Sequence, residues 1–209
     1  LISRHTPESV VYRINNRGSN SLSGIHPEVY GLLTACVEYS TKTAGCFDIT
    51  ANKNNPAAST GNSISLDPEG NKILFSDGSA SIDLGGIGKG YALDAIRMIL
   101  KKHAAENALI SFGDSSILAL GRHPYGDCWK IGIMNNAGDT VIHEWQMSNA
   151  AVSTSRSVNG HIVNPKSGKA IFSERTATVL CNNATEAEVL STALVVASDN
   201  EINLMRSNF

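Results

Sequence analysis

Glu188 and Thr192, in the run ATEAEVLSTAL (184–194), stand four residues apart and share one face if the segment is helical. A carboxylate and a hydroxyl placed in this way are hard oxygen donors of the kind Mg2+ takes. A second role competes for the same carboxylate. Thr185-x-x-Glu188 has the spacing of a capping box, in which Glu188 would bind backbone N–H groups at the start of its own helix. The residues leave both roles open.

A second stretch with chemical content is SIDLGGIGKGYALD (81–94), four glycines and Lys89 between an expected strand and an expected helix. It is not a P-loop, because Gly88-Lys89 is followed by Gly90 where that motif needs Ser or Thr as a magnesium ligand. It is not the dinucleotide fingerprint either, since the third glycine of Gly86-x-Gly88-x-Gly90 comes one residue early. What remains is general. Glycines allow close backbone approach, a helix N-terminus presents free N–H groups to an anion, and Lys89 adds a mobile positive charge. A tight turn with a solvated lysine fits the same residues equally well.

Three further clusters carry weaker signals. NGHIVNPKSGKAI (159–171) sets His161 among the turn formers Pro165, Ser167 and Gly168. Imidazole can move a proton near neutral pH, yet a histidine taken alone is more often structural. AAVSTSRS (150–157) gathers hydroxyls able to meet phosphate or ribose, though Ser and Thr are also common at strand ends, the reading we favour. TAGCFDIT (43–50) ends a helix at Gly45 and is expected to enter a strand, with Phe47 in the core and Asp48 free to cap a turn or bind a ligand.

The elements that must position these residues follow from periodicity and punctuation. Pro27 opens a helix through PEVYGLLTACVEYSTKTAG, with Val29, Leu32, Leu33 and Val37 near helical spacing. Asn52–Ser63 is polar and turn-rich, and reads as a loop or a disordered segment. SISLD, KILFSDG and SASIDLG read as short strands. A helix GYALDAIRMILKKHAAEN follows, with Lys101 and Lys102 complementing its C-terminus. Strands ALISFG, SILALG, WKIGIM, VIHEWQM and TATVLC come next, then the helix ATEAEVLSTALVVAS and the start of another. Strands in runs with interspersed helices predict an α+β fold with antiparallel or mixed sheets. Ser81–Gly113 is expected to form one right-handed strand–helix–strand crossover.

With 209 residues, 42% of them hydrophobic, the chain has enough apolar material for a core. A net charge of −2 gives no electrostatic footprint for nucleic acid. No apolar run approaches the roughly 18 residues of a membrane span. The opening LISRHTPES has no initiator Met and no signal character, so an N-terminal strand and any signal segment are expected to be missing from a single domain spanning 1–209. Cys36, Cys46, Cys128 and Cys181 lack metal spacing and are equally compatible with buried thiols or disulfides.

Taken in order, PESVVYRINN, TAGCFDIT, IDLGGIGKGYALD, STS, HIVNPKSGKAI and AEVLSTAL resemble the motif series of the FAD:protein FMN transferases, the ApbE-type flavin transferases. The likeness spans Pro7 to about Ser198. Departures are local: Glu188 stands where the family usually has Asp, Arg156 where Gly is usual, Asn164 where Asp is common, and Asp114 displaces a glycine. Only 32 residues separate Thr50 from Asp83, fewer than the family normally has.

The resemblance implies an ApbE-like α+β fold with the FAD site between two lobes. It also implies an Mg2+-dependent reaction that cuts the FAD pyrophosphate and transfers FMN to a Thr or Ser hydroxyl of an acceptor flavoprotein, releasing AMP. Hydrolysis of FAD to FMN and AMP, FAD storage, and a fold-only relative are the alternatives. Carried over residue by residue, Glu188, Thr192 and the Gly86 carbonyl would bind Mg2+. Cys46, Phe47, Asp48, Asp83, Lys89 and Val163 would contact FAD, and His161 would activate the acceptor hydroxyl. Asp94 would be a structural or ribose contact. Family habit places such proteins in the bacterial cell envelope, on the periplasmic side and often lipid-anchored.

Overall fold

The computed structural model describes residues 2–51, 63–135 and 137–209. The chain divides into two compact units, Leu1–Gly86 with Val158–Phe172 and Val196–Phe209, and Ile87–Ser157 with Ser173–Val195. The Asn52–Ser63 loop expected from sequence lies, apart from Ser63, outside the described residues.

The first unit opens with α1 (Val10–Asn15), capped by the Ser9 hydroxyl, followed by the short strand β1 (Ser21–Leu22). Helix α2 (Pro27–Lys42) starts with Pro27 in its first turn, as predicted. It buries Val29, Leu32, Leu33 and Cys36, while Val37 is rotated outward, one residue being a 100° step around the helix. Gly45 (φ +74°) ends it by donating its N–H to Ser40 O at 2.8 Å. Strands β2 (Ile64–Asp67) and β3 (Lys72–Phe75) pair antiparallel, with β1 on the other side of β3.

Two expected strands are absent among the described residues of this unit. Phe47 and Asp48 lie in a turn, not a strand, because Asp48 Oδ1 accepts from both the Thr50 N–H (2.8 Å) and hydroxyl (2.7 Å). Ser81–Leu84 is irregular and joins no ladder. The Asn15 side chain takes both the N–H and the carbonyl of Ile82, so the backbone groups a sheet partner would use are already engaged. The predicted crossover therefore fails at its first strand.

The second unit holds α3 (Gly88–Lys102), which begins two residues earlier than GYALD suggested. Strands β4 (Ala108–Phe112), β5 (Ser116–Leu120), β8 (Ala150–Ser157) and β9 (Ser173–Cys181) form one antiparallel sheet in the order β4-β5-β8-β9. Strands β6 (Trp129–Met134) and β7 (Val141–Met147) form a two-stranded sheet. AAVSTSRS is thus a strand, as favoured from sequence.

Alternation along β5 and β8 divides this core. Leu118, Leu120 and Ala151 pack with Leu93 of α3 and with Ala184, the first residue of α4 (Ala184–Val196). Ala119, Ala150 and Val152 pack with Ile131 and Met147 of the small sheet. Period-two side-chain placement puts the two sets on opposite faces of the same strands. The last helix, α5 (Asp199–Asn208), belongs to the first unit and begins with a Ser198–Glu201 capping box. All four cysteines are free thiols.

Candidate functional site

The glycine loop leads into the N-terminus of α3. None of Gly85, Gly86, Gly88 and Gly90 takes a positive φ, so the loop does not need glycine for a left-handed turn. At Gly90 it needs glycine for contact. A Cβ there would stand 2.3 Å from the Ala184 carbonyl oxygen and 2.8 Å from Thr185 Cα. The first turns of α3 and α4 touch backbone to backbone at this point.

That closeness lets each helix cap the other. Glu188, on α4 and 2% exposed, accepts from the Gly90 N–H of α3 through one carboxylate oxygen and pairs with the Lys89 ammonium through the other. In return Asp94, on α3, accepts from the N–H groups of Ala184 (3.1 Å) and Thr185 (2.8 Å) and from the Thr185 hydroxyl (2.7 Å). Helix N-termini attract carboxylates because their first N–H groups lack internal partners and the dipole is positive there. The capping box weighed for Thr185 and Glu188 does not form: α4 begins at Ala184, the Asn183 side chain accepts from the Glu186 N–H, and Thr185 and Glu188 are both used across the helix pair. Asp94 has the structural role among the two expected for it.

Lys89 and Glu188, expected to serve an anion and a cation separately, are brought together in one ion pair. The Lys89 side chain is 40% exposed and Glu188 nearly inaccessible, so the lysine is the movable partner. Thr192 lies one turn beyond Glu188, with its hydroxyl 3.4 Å from that of Ser155 on β8. Among the described residues no group of three His, Cys, Asp or Glu could hold a metal. A cation here would take one carboxylate, one hydroxyl and otherwise backbone or substrate oxygens. Mg2+ accepts such a set, while the nitrogen- and sulfur-preferring metals do not. Each oxygen of Glu188 spends one of its two lone-pair positions on Gly90 or Lys89, leaving capacity for a cation.

The remaining expected residues lie in the first unit, as does Gly86, the last residue before its boundary. Asp83 donates its N–H to Ile49 O at 2.7 Å, and its carboxylate accepts from the Gly85 N–H (2.9 Å) and from Arg4 (2.5 Å). The side chains of Cys46 and Phe47 are buried, so in this conformation a ligand would reach their backbone. Phe47 N–H donates to the Thr43 hydroxyl, which holds the turn.

His161 is exposed, just before an isolated bridge between Val163 and Ala170. Asn164 shapes the turn between those two residues. Its side-chain oxygen accepts from the Lys166 and Ser167 N–H groups, and its carbonyl from Gly168. Asn in place of Asp keeps the acceptor that an Asx turn requires.

Sequence reasoning missed Lys166 and Glu201. Lys166 lays its stem over Gly45 (3.4 Å to a Cβ built there) and pairs with Glu201, which also caps α5. Ser198-x-x-Glu201 was a readable signal; the Lys166 contact was not. The Lys166 ammonium, with the Ser198 N–H and hydroxyl, holds the Glu201 carboxyl down at about 2. Burial, then the Glu201 carboxylate, pushes the Cys46 thiol up to about 11, which leaves it unreactive.

A carboxyl lowered in the folded state stabilises above its unfolded pKa of 4.5, and that contribution disappears as pH falls through about 2. Glu201→Gln should therefore melt below wild type at neutral pH, with the gap closing between those two values. Thermal melts followed by circular dichroism across that range check this, and a gap independent of pH would rule it out.

Comparison with known proteins agrees with this architecture. The model of the ApbE family matches residues 1–208. The chain belongs to the ApbE family. The ApbE protein of Thermotoga maritima MSB8 superposes with a TM-score of 0.83 at 25% identity, covering 97% of this chain and 76% of that one. The apo flavinyl transferase ApbE of Pseudomonas stutzeri gives 0.82 at 24%, covering 99% and 75%. The flavin transferase ApbE of Vibrio cholerae gives 0.86 at 20%, covering 99% and 77%. No curated protein sequence matches the chain. The α+β fold with antiparallel sheets is thus the ApbE fold.

Proposed function

We propose that this ApbE-family protein is an Mg2+-dependent flavin transferase that moves FMN from FAD to a Thr or Ser hydroxyl of an acceptor protein and releases AMP. The observation that carries the reading is the convergence of Lys89, the Gly90 N–H and the Glu188 carboxylate at the N-terminus of α3, one turn from Thr192. The names of the Pseudomonas and Vibrio neighbours support flavin transfer as the chemistry.

In the reaction, the acceptor oxygen bonds to the FMN phosphorus, the bond from that phosphorus to the AMP oxygen breaks, and the hydroxyl proton leaves to a base. Positioning and charge neutralisation dominate such phosphoryl transfers. Mg2+, when held by Glu188, Thr192 and the Gly86 carbonyl, would neutralise pyrophosphate charge. Lys89, part-exposed and the movable partner of Glu188, would be able to turn to the phosphate oxygens if Glu188 held that ion. His161 takes the acceptor proton, and its exposure suits a macromolecular partner. Cys46, Phe47, Asp48, Asp83 and Val163 serve the rest of FAD.

The family resemblance also supports an acceptor among respiratory or redox proteins and a place in the bacterial envelope, with any lipid anchor lying outside these residues. No helix among the described residues is long and apolar enough to cross a membrane.

The test is incubation with FAD, Mg2+ and an acceptor domain carrying a target Thr, read by in-gel flavin fluorescence and intact mass. A flavin-bearing acceptor is expected. Free FMN and AMP without an adduct would assign hydrolysis, and unchanged FAD would end both catalytic readings. His161→Ala should cut the transfer rate by about 100-fold, the scale of a general base, while FAD binding measured by fluorescence quenching stays near wild type. Equal loss in both would move His161 to binding.

A further inference from the structure

Behind Thr192 lies a file of hydroxyls on β8 and α4 that neither the fold nor the transfer chemistry accounts for. Ser155 Oγ is 2.8 Å from Ser191 Oγ and 3.4 Å from Thr192 Oγ1. Ser191 Oγ is in turn 3.0 Å from the Glu188 carbonyl oxygen and 3.1 Å from Ser153 Oγ. Ser191 is fully buried and Ser153 is 2% exposed, so water cannot substitute for these bonds.

Each hydroxyl has one proton, which gives the file a direction. The Glu188 carbonyl can only accept, and the geometry makes Ser153 an acceptor from Ser191 as well. With the Ser191 proton committed to either, the 2.8 Å contact forms only if Ser155 donates to Ser191. Ser155 then has no proton left and accepts that of Thr192. The reverse file, Ser191 to Ser155 to Thr192, makes one bond fewer and leaves the carbonyl without a hydroxyl donor, while Ser153 keeps only its longer 3.5 Å contact with Ser116 Oγ. In a buried site the arrangement with more bonds made is favoured.

We infer that Ser155 and Ser191 are positioning residues that draw the Thr192 proton inward, so that Thr192 presents lone pairs outward and receives a cation rather than an anion. The inference deepens the proposed Mg2+ role of Thr192 and rests on it. It also gives AAVSTSRS, read from sequence as a strand end alone, a second use. Removal of a partner that orients a metal ligand typically weakens metal binding 10- to 100-fold.

The probe is Mn2+ alone, titrated into the full chain with and without FAD, with the free ion counted by its EPR signal. Ser155→Ala and Ser191→Ala should each weaken Mn2+ binding about tenfold. Ser155→Thr, which keeps the hydroxyl, should stay near wild type, as should Thr154→Ala, whose hydroxyl pairs instead with Thr178. Should Ser191→Ala not fold, the Ser155→Ala and Ser155→Thr pair decides alone, because Ser155 is only part-buried. If Thr192→Ala weakens Mn2+ binding while Ser155→Ala and Ser191→Ala leave it unchanged, the positioning role is overturned and the metal reading stands. If wild type binds no Mn2+, or Thr192→Ala binds it as well as wild type, the metal reading fails and takes this inference with it.

Discussion

Glu188→Ala should lower flavin transfer by about 100-fold or more, the scale on which a preorganised charge contributes to a transition state. Its cost in stability should be smaller, about 1–3 kcal/mol, for the buried Gly90 N–H left without an acceptor. The ion pair adds little to that loss, because Lys89 is part-exposed and can turn to water once its partner is gone. Glu188→Gln separates the two effects. It keeps an oxygen for Gly90 and most of the stability, but loses the negative charge and with it the transfer. In-gel fluorescence and thermal melts on the same preparations provide both readings. Transfer by Glu188→Gln within about twofold of wild type would reduce Glu188 to a cap for α3.

Gly90→Ala should lower the melting temperature by about 6–12 °C, which for a chain of this length corresponds to about 3 kcal/mol. The added methyl would meet backbone atoms of Ala184 and Thr185, which cannot rotate away as a side chain can. Separating the two helices would also stretch the bonds from Glu188 to Gly90 and from Asp94 to Thr185. Gly31 is the control. It sits in mid-helix on α2 with no atom within 4 Å of a Cβ, so Gly31→Ala should stabilise by up to about 1 kcal/mol. Differential scanning calorimetry checks both, and a Gly90→Ala midpoint within about 2 °C of wild type would remove the case for close approach.

Reading from sequence succeeded where the determinants are local. Pro27 and Gly45 bracket α2, and SILALG forms β5. The strand expected at Phe47 and Asp48 failed for an equally local reason, the Asp48 carboxylate accepting from the Thr50 N–H. Reading also failed where a distant group intercepts the backbone. Ile82 looks like a strand residue by type, yet the Asn15 side chain, 67 positions away, takes both of its backbone groups. The capping box at Thr185 and Glu188 failed for the same reason, since each side chain found a partner on α3.

The sequence by itself determined the motif order that places the chain in the ApbE family and the 3.6-residue repeat that puts Glu188 and Thr192 on one helical face. It also determined the glycine loop at the head of α3. These depend on spacing along the chain, which a linear string records. Only the tertiary structure decided that Gly90 is needed for contact rather than for a turn, and that Glu188 caps another helix rather than its own. It likewise decided that Lys89 faces a carboxylate 99 residues away and that Ser155 of β8 reaches Thr192. Those outcomes depend on which surfaces meet when α3, α4 and β8 pack, and a carboxylate or hydroxyl bonds to whatever donor that packing leaves nearest.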